Sequence, residues 1–323
     1  MSFKDKLTKI KNNLYTKADF IIADAKDGDM AFGCATAGVN EQGVSLPIKK
    51  YRDDIVRVVS SELVDIMLTS VSNAEILSDL NLYETQKTTP AVRLNDTTDI
   101  WHARGATYPQ HMMRNFRSAE ITRAKAVAEL GLYSVTFYND LDRDLQTLQN
   151  YKKFRNEASE LGFDHFLEVF NPQIAVKTED DFWKYNNDMI VRCLAGVSQY
   201  ERPLFLKAAY NGPAATEEIS KYDPAHLVFG ILGGGAGTTR DCLELLKQAE
   251  KYGARVALFG RKIYQSECSI SMITAMRRVL EQDISSIEGV KAYHYDLSQL
   301  GITPKRALVD DLELTEEILQ VNV

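Results

Sequence analysis

Lys207 lies in the middle of an apolar segment and is the residue with the clearest potential for covalent chemistry. The segment Pro203–Gly212 reads PLFLKAAYNG and predicts a short buried strand. An ammonium group is costly to bury in such surroundings, and desolvation lowers the pKa of a lysine. A partly neutral lysine can attack a carbonyl and form a Schiff base. The alternative is a structural lysine that reaches from the strand end to pair with a carboxylate.

Glu168 is a candidate partner for Lys207. It lies in the predicted strand DHFLEVFNP, residues 164–172, with Leu167 and Val169 on either side. If this strand neighbours the one that carries Lys207, the carboxylate lies near the ammonium. A carboxylate there could relay protons during dehydration of a carbinolamine. A plain buried Lys–Glu ion pair is the alternative.

The elements that position these residues alternate regularly. Apolar strands are predicted at residues 18–25, 63–70, 89–96, 133–140, 164–172, 203–212, 226–234 and 254–262, with helical segments between them. Near-continuous apolar strands indicate parallel strands that are covered on both faces. Eight such units favour a (β/α)8 barrel of the α/β class, with an open doubly wound sheet as the alternative. No GxGxxG motif follows the first strand, so the usual dinucleotide signal is missing.

In such a barrel the carboxyl ends of all strands meet at one face, where active sites lie. The first strand ends at Asp24, with Asp27 just beyond it, and the third strand carries Arg93. The long loop 97–115 follows the third strand. This loop is either a lid that brings Arg104 or His102 to a substrate, or a contact between subunits.

Two glycine-rich turns predict an anion site. The segment GILGGGAGTTRD, residues 230–241, follows the seventh strand, and FGRK, residues 259–262, follows the eighth. Barrels frequently build phosphate sites from these two loops, using backbone N–H groups and a helix N-terminus. The predicted phosphate residues are Gly234, Gly235, Gly260 and Arg261. Tight turns without a ligand are the alternative.

The predicted organisation is a single barrel domain with an added tail. The barrel and an N-terminal helix take up residues 1–283, and residues 284–323 form a C-terminal extension with a polar linker and a last helix, LTEEILQ. A helix is also predicted over 118–130, with Gly131 as its C-terminal cap.

Composition restricts the classes of function. The chain has 323 residues, 45% of them hydrophobic, and a formal net charge of -7, which argues against general nucleic-acid binding. Four cysteines without a CxxC pair favour a reduced, cytoplasmic compartment. The five histidines form no ligand pair with metal-site spacing, so no metal site is expected. No signal peptide and no apolar run long enough for a membrane span is found.

The stretch from about Asp19 to Gln282 resembles the class I, Schiff-base aldolases of the archaeal-type fructose-bisphosphate and tagatose-bisphosphate families. The segments FLKAAYNG, GGGAGTTRDCLELLKQA and GARVALFGRKIYQ carry this resemblance. It implies that Lys207 forms the Schiff base and that the glycines and the Gly-Arg pair bind phosphate. It further implies a strand-one aspartate, for which Asp24 is favoured over Asp27, and Glu168 resembles the strand-five glutamate of the tagatose type.

The sequence departs from these families at two places. The archaeal-type enzymes place a tyrosine near the end of strand five, where this chain reads VFNPQ with Asn171. The tagatose type carries a strand-four lysine, and YSVTFYND contains none. The class of mechanism is therefore better supported than the substrate.

The resulting prediction is a class I aldolase, a metal-independent aldehyde-lyase, that acts on a phosphorylated or otherwise anionic ketose. Lys207 forms the iminium, Glu168 shuttles protons and Asp24 takes the hydroxyl proton. Arg93 and Arg104 are further predicted substrate contacts. No metal or organic cofactor is expected, and the resemblance implies a homo-oligomer. The alternatives are a sugar-phosphate isomerase, an aldol or acyl transferase, and a non-catalytic sugar-phosphate sensor.

Overall fold

Eight parallel strands form a closed barrel in which each strand pairs with its sequence neighbours and the first strand pairs with the last. A computed structural model describes residues 1–40, 42–84 and 86–322; Glu41, Thr85 and Val323, all inside the predicted domain ranges, lie outside it. The prediction of a (β/α)8 barrel is confirmed. The strands are β1 Ile21–Lys26, β2 Ile66–Thr69, β3 Thr89–Arg93, β4 Leu130–Thr136, β5 Asp164–Phe170, β6 Leu206–Ala208, β7 Gly230–Leu232 and β8 Val256–Phe259.

The two faces of each strand contact different hydrophobic layers. On β1, Ile21, Ala23 and Ala25 belong to the cluster inside the barrel, whereas Ile22 belongs to the cluster between strands and helices. Because successive side chains point to opposite faces, every second residue of a strand lies inside. This alternation decides which polar residue at a strand end reaches the barrel mouth.

The helices surround the barrel and close its lower end. They are α1 Phe3–Lys11, α2 Gly28–Phe32, α3 Ile48–Ser60, α4 Val71–Asp79, α5 Ile121–Ala124, α6 Leu141–Glu160, α7 Phe182–Ala195, α8 Pro213–Tyr222, α9 Thr239–Lys251, α10 Arg261–Tyr264, α11 Ser269–Glu281, α12 Ser286–Gln299 and α13 Leu308–Asp311. Helix α1 lies at the amino ends of the strands, where Phe3 packs edge-on against Phe205 at a ring distance of 5.9 Å.

The predicted helix 118–130 is wrong. Only Ile121–Ala124 is α-helical, and the following strand begins at Leu130. Gly131, expected to cap the helix, lies in β4 opposite Val92 and His165. A Cβ atom at Gly131 would come within 2.3 Å of Leu94 Cδ1, so close strand packing explains this glycine.

The C-terminal segment differs from the predicted polar linker. Helix α12 begins at the N-cap Ser285, whose capping box with Glu288 satisfies the first turn. Its buried residues Val290, Tyr293 and Leu297 pack in the outer cluster. The predicted last helix, LTEEILQ, is instead a short 3₁₀ segment, Glu317–Asn322.

The loop after β3 is folded against the carboxyl end of the barrel. It contains a two-stranded antiparallel ribbon, Asp96–Thr97 with Asn115–Phe116, and two short 3₁₀ turns. In the described residues, no helix combines the length and the apolar character that a membrane crossing requires.

Candidate active site

Glu168 and Lys207 lie side by side on β5 and β6. The two residues are in register across these strands, and Ser134 of β4 is in register with Glu168 on its other side. Lys207 Nζ forms an ion pair with Glu168 Oε1, with only 7% and 1% of the two side chains exposed. Neighbouring strands therefore bring together the two residues that the sequence singled out.

Arg93 and Ser134 complete the environment of the Glu168 carboxylate. Glu168 Oε2 accepts hydrogen bonds from Ser134 Oγ at 2.7 Å and from an Arg93 Nη at 3.1 Å. The other Nη of Arg93 donates to Ser134 Oγ at 2.8 Å, and its Nε donates to Asp27 Oδ2 at 2.5 Å. The five residues Asp27, Arg93, Ser134, Glu168 and Lys207 thus form one connected buried network.

The charges of this network set the pKa of Glu168. Burial by itself would raise it, but the positive charges of Lys207 and Arg93 and the hydrogen bonds from Lys207 and Ser134 lower the pKa below its ordinary value. Burial by itself would lower the pKa of Arg93, but the negative charges of Asp27 and Glu168 raise it above its ordinary value. At neutral pH the carboxylate is therefore ionised and can accept a proton.

A cavity of about 370 Å³ opens above this network at the carboxyl ends of the strands. Asp27, Arg93, Glu168 and Lys207 all line it. Its remaining lining comes mostly from the loops after the strands: Ala25, Gly28, Ala31, Phe32, Ile100, His102, Phe170, Asn171, Gln173, Ala209, Leu232, Gly233, Gly234, Leu258, Gly260, Arg261 and Tyr264.

The structure corrects the choice of Asp24 over Asp27. Asp24 is fully buried and is not among the cavity residues, because it shares the outward face of β1 with Ile22. Its Oδ2 lies 3.4 Å from Lys26 Nζ, which also binds Asp54 Oδ2 at 2.8 Å. Asp27 reaches the cavity instead, so Asp27 is the aspartate from the β1 end that can contact a substrate.

Burial affects the pKa of Asp24 more strongly than the nearby positive charge does. Desolvation raises its pKa to about 7, although the nearby ammonium of Lys26 acts in the opposite direction. Neither carboxylate oxygen has a hydrogen-bond partner among the described residues. Asp24 therefore belongs to a structural group between β1 and α3, away from the cavity.

Three of the four predicted phosphate residues line the cavity, namely Gly234, Gly260 and Arg261. Gly235 is exposed and is not in the lining. The N-terminus of α9 is already occupied by carboxylates of the chain, because Thr238 N–H donates to Asp241 and Thr239 N–H donates to Asp311, at 2.9 and 2.8 Å. An anion would therefore meet the glycine loop and Arg261 rather than this helix end.

The loop after β3 contributes His102 but not Arg104. His102 N–H donates to Ala31 O at 2.8 Å, and the imidazole stacks on Phe32 with ring centroids 5.4 Å apart. Burial and the positive charge of Arg261 lower the pKa of His102. Arg104 is exposed and lies outside the lining, so its contact with a substrate stays a prediction.

Sequence reasoning missed several cavity residues. Gln173 and Tyr264 of the lining were not identified, nor was Ser134 of the network below it, although the inward alternation of β4 includes Ser134 through Leu130 and Leu132. Gln173 and Tyr264 lie after strand ends, where sequence spacing gives no orientation. Among the described residues, no group of three or more His, Cys, Asp or Glu side chains is arranged to hold a metal ion.

Comparison with solved structures identifies the class of fold. A Schiff-base-forming fructose-1,6-bisphosphate aldolase matches with a TM-score of 0.63 and 14% identity over 86% of this chain and 100% of that one. An archaeal fructose-1,6-bisphosphate aldolase, with its catalytic lysine covalently bound to a carbinolamine intermediate, gives a TM-score of 0.63 and 14% identity over 86% and 99%. A fructose-bisphosphate aldolase from Slackia heliotrinireducens DSM 20476 gives 0.63 and 13% over 91% and 90%.

These structural neighbours share the barrel fold with this chain, in agreement with the resemblance seen in the sequence. A scan against protein-family models and a search of curated proteins give no match. The chain therefore shares its fold with these Schiff-base aldolases.

Proposed function

We propose that the protein is a class I aldolase that cleaves or forms a carbon–carbon bond in an anionic ketose through a Schiff base on Lys207. The observation that carries this proposal is the Lys207–Glu168 ion pair at the floor of a cavity of about 370 Å³. A structural ion pair needs no open space above it, whereas a nucleophilic amine requires access to a carbonyl carbon. The fold shared with Schiff-base aldolases supports the same chemistry.

The first steps use Lys207 and Glu168. When a ketone enters the cavity, the Lys207 ammonium gives a proton to the Glu168 carboxylate, and the neutral amine attacks the carbonyl carbon. Glu168 then protonates the hydroxyl of the carbinolamine, which leaves as water and gives the iminium. The network of Arg93 and Ser134 fixes the position of Glu168 during these transfers.

The iminium then accepts the electron pair of the bond that breaks. A base removes the proton from the hydroxyl on the β-carbon, the carbon–carbon bond breaks, and an aldehyde leaves while an enamine forms. Asp27 is the proposed base, because it lines the cavity and is partly exposed to it. Protonation of the enamine and hydrolysis of the new iminium release the second product and regenerate Lys207.

Borohydride reduction tests the proposal. The protein is incubated with dihydroxyacetone phosphate and ketose phosphates, reduced, and analysed by intact mass and peptide mapping. We expect a ligand-dependent adduct on Lys207 that is lost in Lys207→Ala and retained in Lys184→Ala, a control at a partly exposed surface lysine. Binding of these phosphate esters without any lysine adduct would overturn the aldolase and favour a sugar-phosphate isomerase or sensor.

A further inference from the structure

The cationic side chains of the cavity are unequally paired. In the part of the chain that the structure describes, Arg93, Lys207 and Arg261 supply the arginine and lysine lining. Arg93 is held between Asp27 and Glu168, and Lys207 is paired with Glu168. Arg261 has no carboxylate partner among the described residues, so the cavity offers one arginine whose charge is uncompensated.

The position of Arg261 defines one end of the cavity. Arg261 follows β8, and Gly234 follows the paired strand β7. Both residues line the cavity together with Gly260, which directly precedes Arg261. Close to Gly234 there is free space, since a Cβ built on this residue would meet no atom within 4 Å. Arg261 and Lys207 line the same cavity, and the one strand β7 separates β8 from β6, so a phosphate at Arg261 and a carbonyl at Lys207 would share one space.

The side of the cavity formed after β3 and β5 has a different character. Its lining residues there include Ile100, Phe170, Asn171 and Gln173, which carry no charge, and His102, whose pKa is lowered by burial and by the charge of Arg261. Amide side chains donate and accept hydrogen bonds, as sugar hydroxyls require. Arg93 and Lys207, the other two cations of the cavity, are already paired with the Asp27 and Glu168 carboxylates, so neither is a free partner for a second phosphate.

We infer that the substrate of the proposed aldolase is a ketose 1-phosphate with an uncharged aldehyde half, rather than a ketose bisphosphate. This inference rests on the proposed function. Arg261 with the Gly234 and Gly260 backbone binds the single phosphate, and Asn171 with Gln173 binds the hydroxyl groups of the other half. Discrimination against a bisphosphate comes from the absence of a second unpaired lysine or arginine in the described cavity lining.

Cleavage rates test the inference. With fructose 1-phosphate and fructose 1,6-bisphosphate as probes, we expect kcat/KM to be at least about tenfold higher for the monophosphate. Arg261→Gln is expected to lower kcat/KM for the monophosphate at least about tenfold, because it removes a charge-assisted contact. Arg123→Gln, at an exposed arginine of α5 outside the cavity, is the matched control and should leave the rates with both substrates unchanged.

A gain of function gives a second readout. Gln173 is exposed at the uncharged side, so Gln173→Lys should fold normally and raise the relative rate with the bisphosphate several-fold. Competitive inhibition by inorganic phosphate should fit one site that weakens in Arg261→Gln.

The outcomes separate the two proposals. Equal or faster cleavage of the bisphosphate, or a fall in cleavage of the monophosphate in Arg123→Gln as large as in Arg261→Gln, would overturn the single-phosphate inference. A Lys207 adduct with dihydroxyacetone phosphate would still support the aldolase. Absence of any adduct on Lys207 overturns the aldolase itself, and the inference falls with it.

Discussion

Glu168 and Lys207 are register partners on adjacent parallel strands, and their side chains meet as a buried ion pair. Glu168 holds Arg93 as well, so one carboxylate faces two cations. Breaking a buried pair leaves charge without compensation, which typically costs about 3–5 kcal/mol. The same carboxylate therefore serves the proposed proton transfers and the stability of the barrel mouth.

Glu168→Gln should retain the cavity but slow turnover. General acid–base catalysis contributes about 10²–10⁴-fold, so we expect kcat to fall by at least about 10²-fold. Borohydride trapping of Lys207 should remain detectable at long incubation. Ser134→Ala, which removes one hydrogen bond and leaves the carboxylate, should have a much smaller effect. Unchanged turnover in a folded Glu168→Gln protein, checked by thermal melting, would exclude Glu168 as the proton shuttle.

Neutralising Asp27 should lower activity, whereas neutralising Asp24 should leave activity unchanged. Asp27→Asn should lower kcat at least about 10²-fold, because a general base in the cavity is lost. Asp24→Asn should leave kcat and KM close to wild type, since Asp24 lies behind β1 and not in the cavity. Steady-state kinetics on the two purified variants decides the assignment. Strong loss in Asp24→Asn at unchanged stability would restore Asp24 as the base.

Asp24 and Asp27 show which parts of the site the sequence predicts and which it does not. Near-continuous apolar runs predict eight strands, and the closed barrel then places Lys207 beside Glu168. In the structure, alternation along β1 separates Asp24 from the inward residues Ala23 and Ala25. Because the run is apolar at almost every position, the sequence does not show which of two successive residues points inward, and a shift of one residue exchanges the inside and outside of a strand.

Other features could not be read from local patterns. The segment 118–130 has helical spacing, but β4 already pairs with β3 from Leu130 onwards, and Gly131 lies close to Leu94. The C-terminal segment looks polar because α12 has only one buried stripe, which packs against α9 and against the preceding helix α11. In both cases tertiary contacts decide the structure, and local propensity does not contain them.

The pH dependence of stability should report on Asp24. Its pKa is raised from 3.8 to about 7 in the folded protein, so the folded state holds this proton where the unfolded chain has lost it. The contribution of Asp24 to stability therefore falls as pH rises from about 4 to about 7 and stays low above that range. Asp24→Asn should remove this fall. The melting temperature of the variant should therefore rise relative to that of the wild-type protein as pH increases from 4 to 7. Asp53→Asn, an exposed change on α3, is the control. An identical pH profile for Asp24→Asn and wild type would contradict the buried, protonated state.

Gly230 is a packing requirement of the strand next to Lys207. A Cβ there would lie 2.7 Å from Val256 Cβ and 2.8 Å from the Leu206 carbonyl oxygen. Neither atom can move without moving β8 or β6, so Gly230→Ala should destabilise the protein by about 1–3 kcal/mol in urea unfolding. Activity should fall as well, because Leu206 precedes Lys207. Gly196→Ala, where a Cβ meets nothing within 4 Å, should have little effect. Equal stability of the two variants would show that the barrel adjusts freely at β7.

The C-terminal segment contacts both loops of the proposed phosphate site. Asp311 Oδ1 accepts from Thr239 N–H at 2.8 Å, and Asp311 Oδ2 lies 2.9 Å from His294 Nε2. Glu316 pairs with the buried Lys262 at 2.7 Å, directly after Arg261. These contacts hold the glycine loop before α9 and the start of α10 from one side. The segment therefore positions the groups that would bind an anion without lining the cavity itself.

Asp311→Ala should weaken phosphate binding more than it affects chemistry at Lys207. Loss of the acceptor leaves the buried Thr239 N–H unsatisfied, which costs about 1–3 kcal/mol and loosens the loop that ends at Thr238. We expect a higher KM and a higher inhibition constant for inorganic phosphate, with kcat and saturating borohydride adduct formation on Lys207 nearly unchanged. Asp310→Ala is the matched control, because Asp310 is the exposed neighbour of Asp311. A lower melting temperature with an unaltered KM would limit the segment to stability, whereas a fall in kcat alone would place its effect at the network of Glu168 and Lys207.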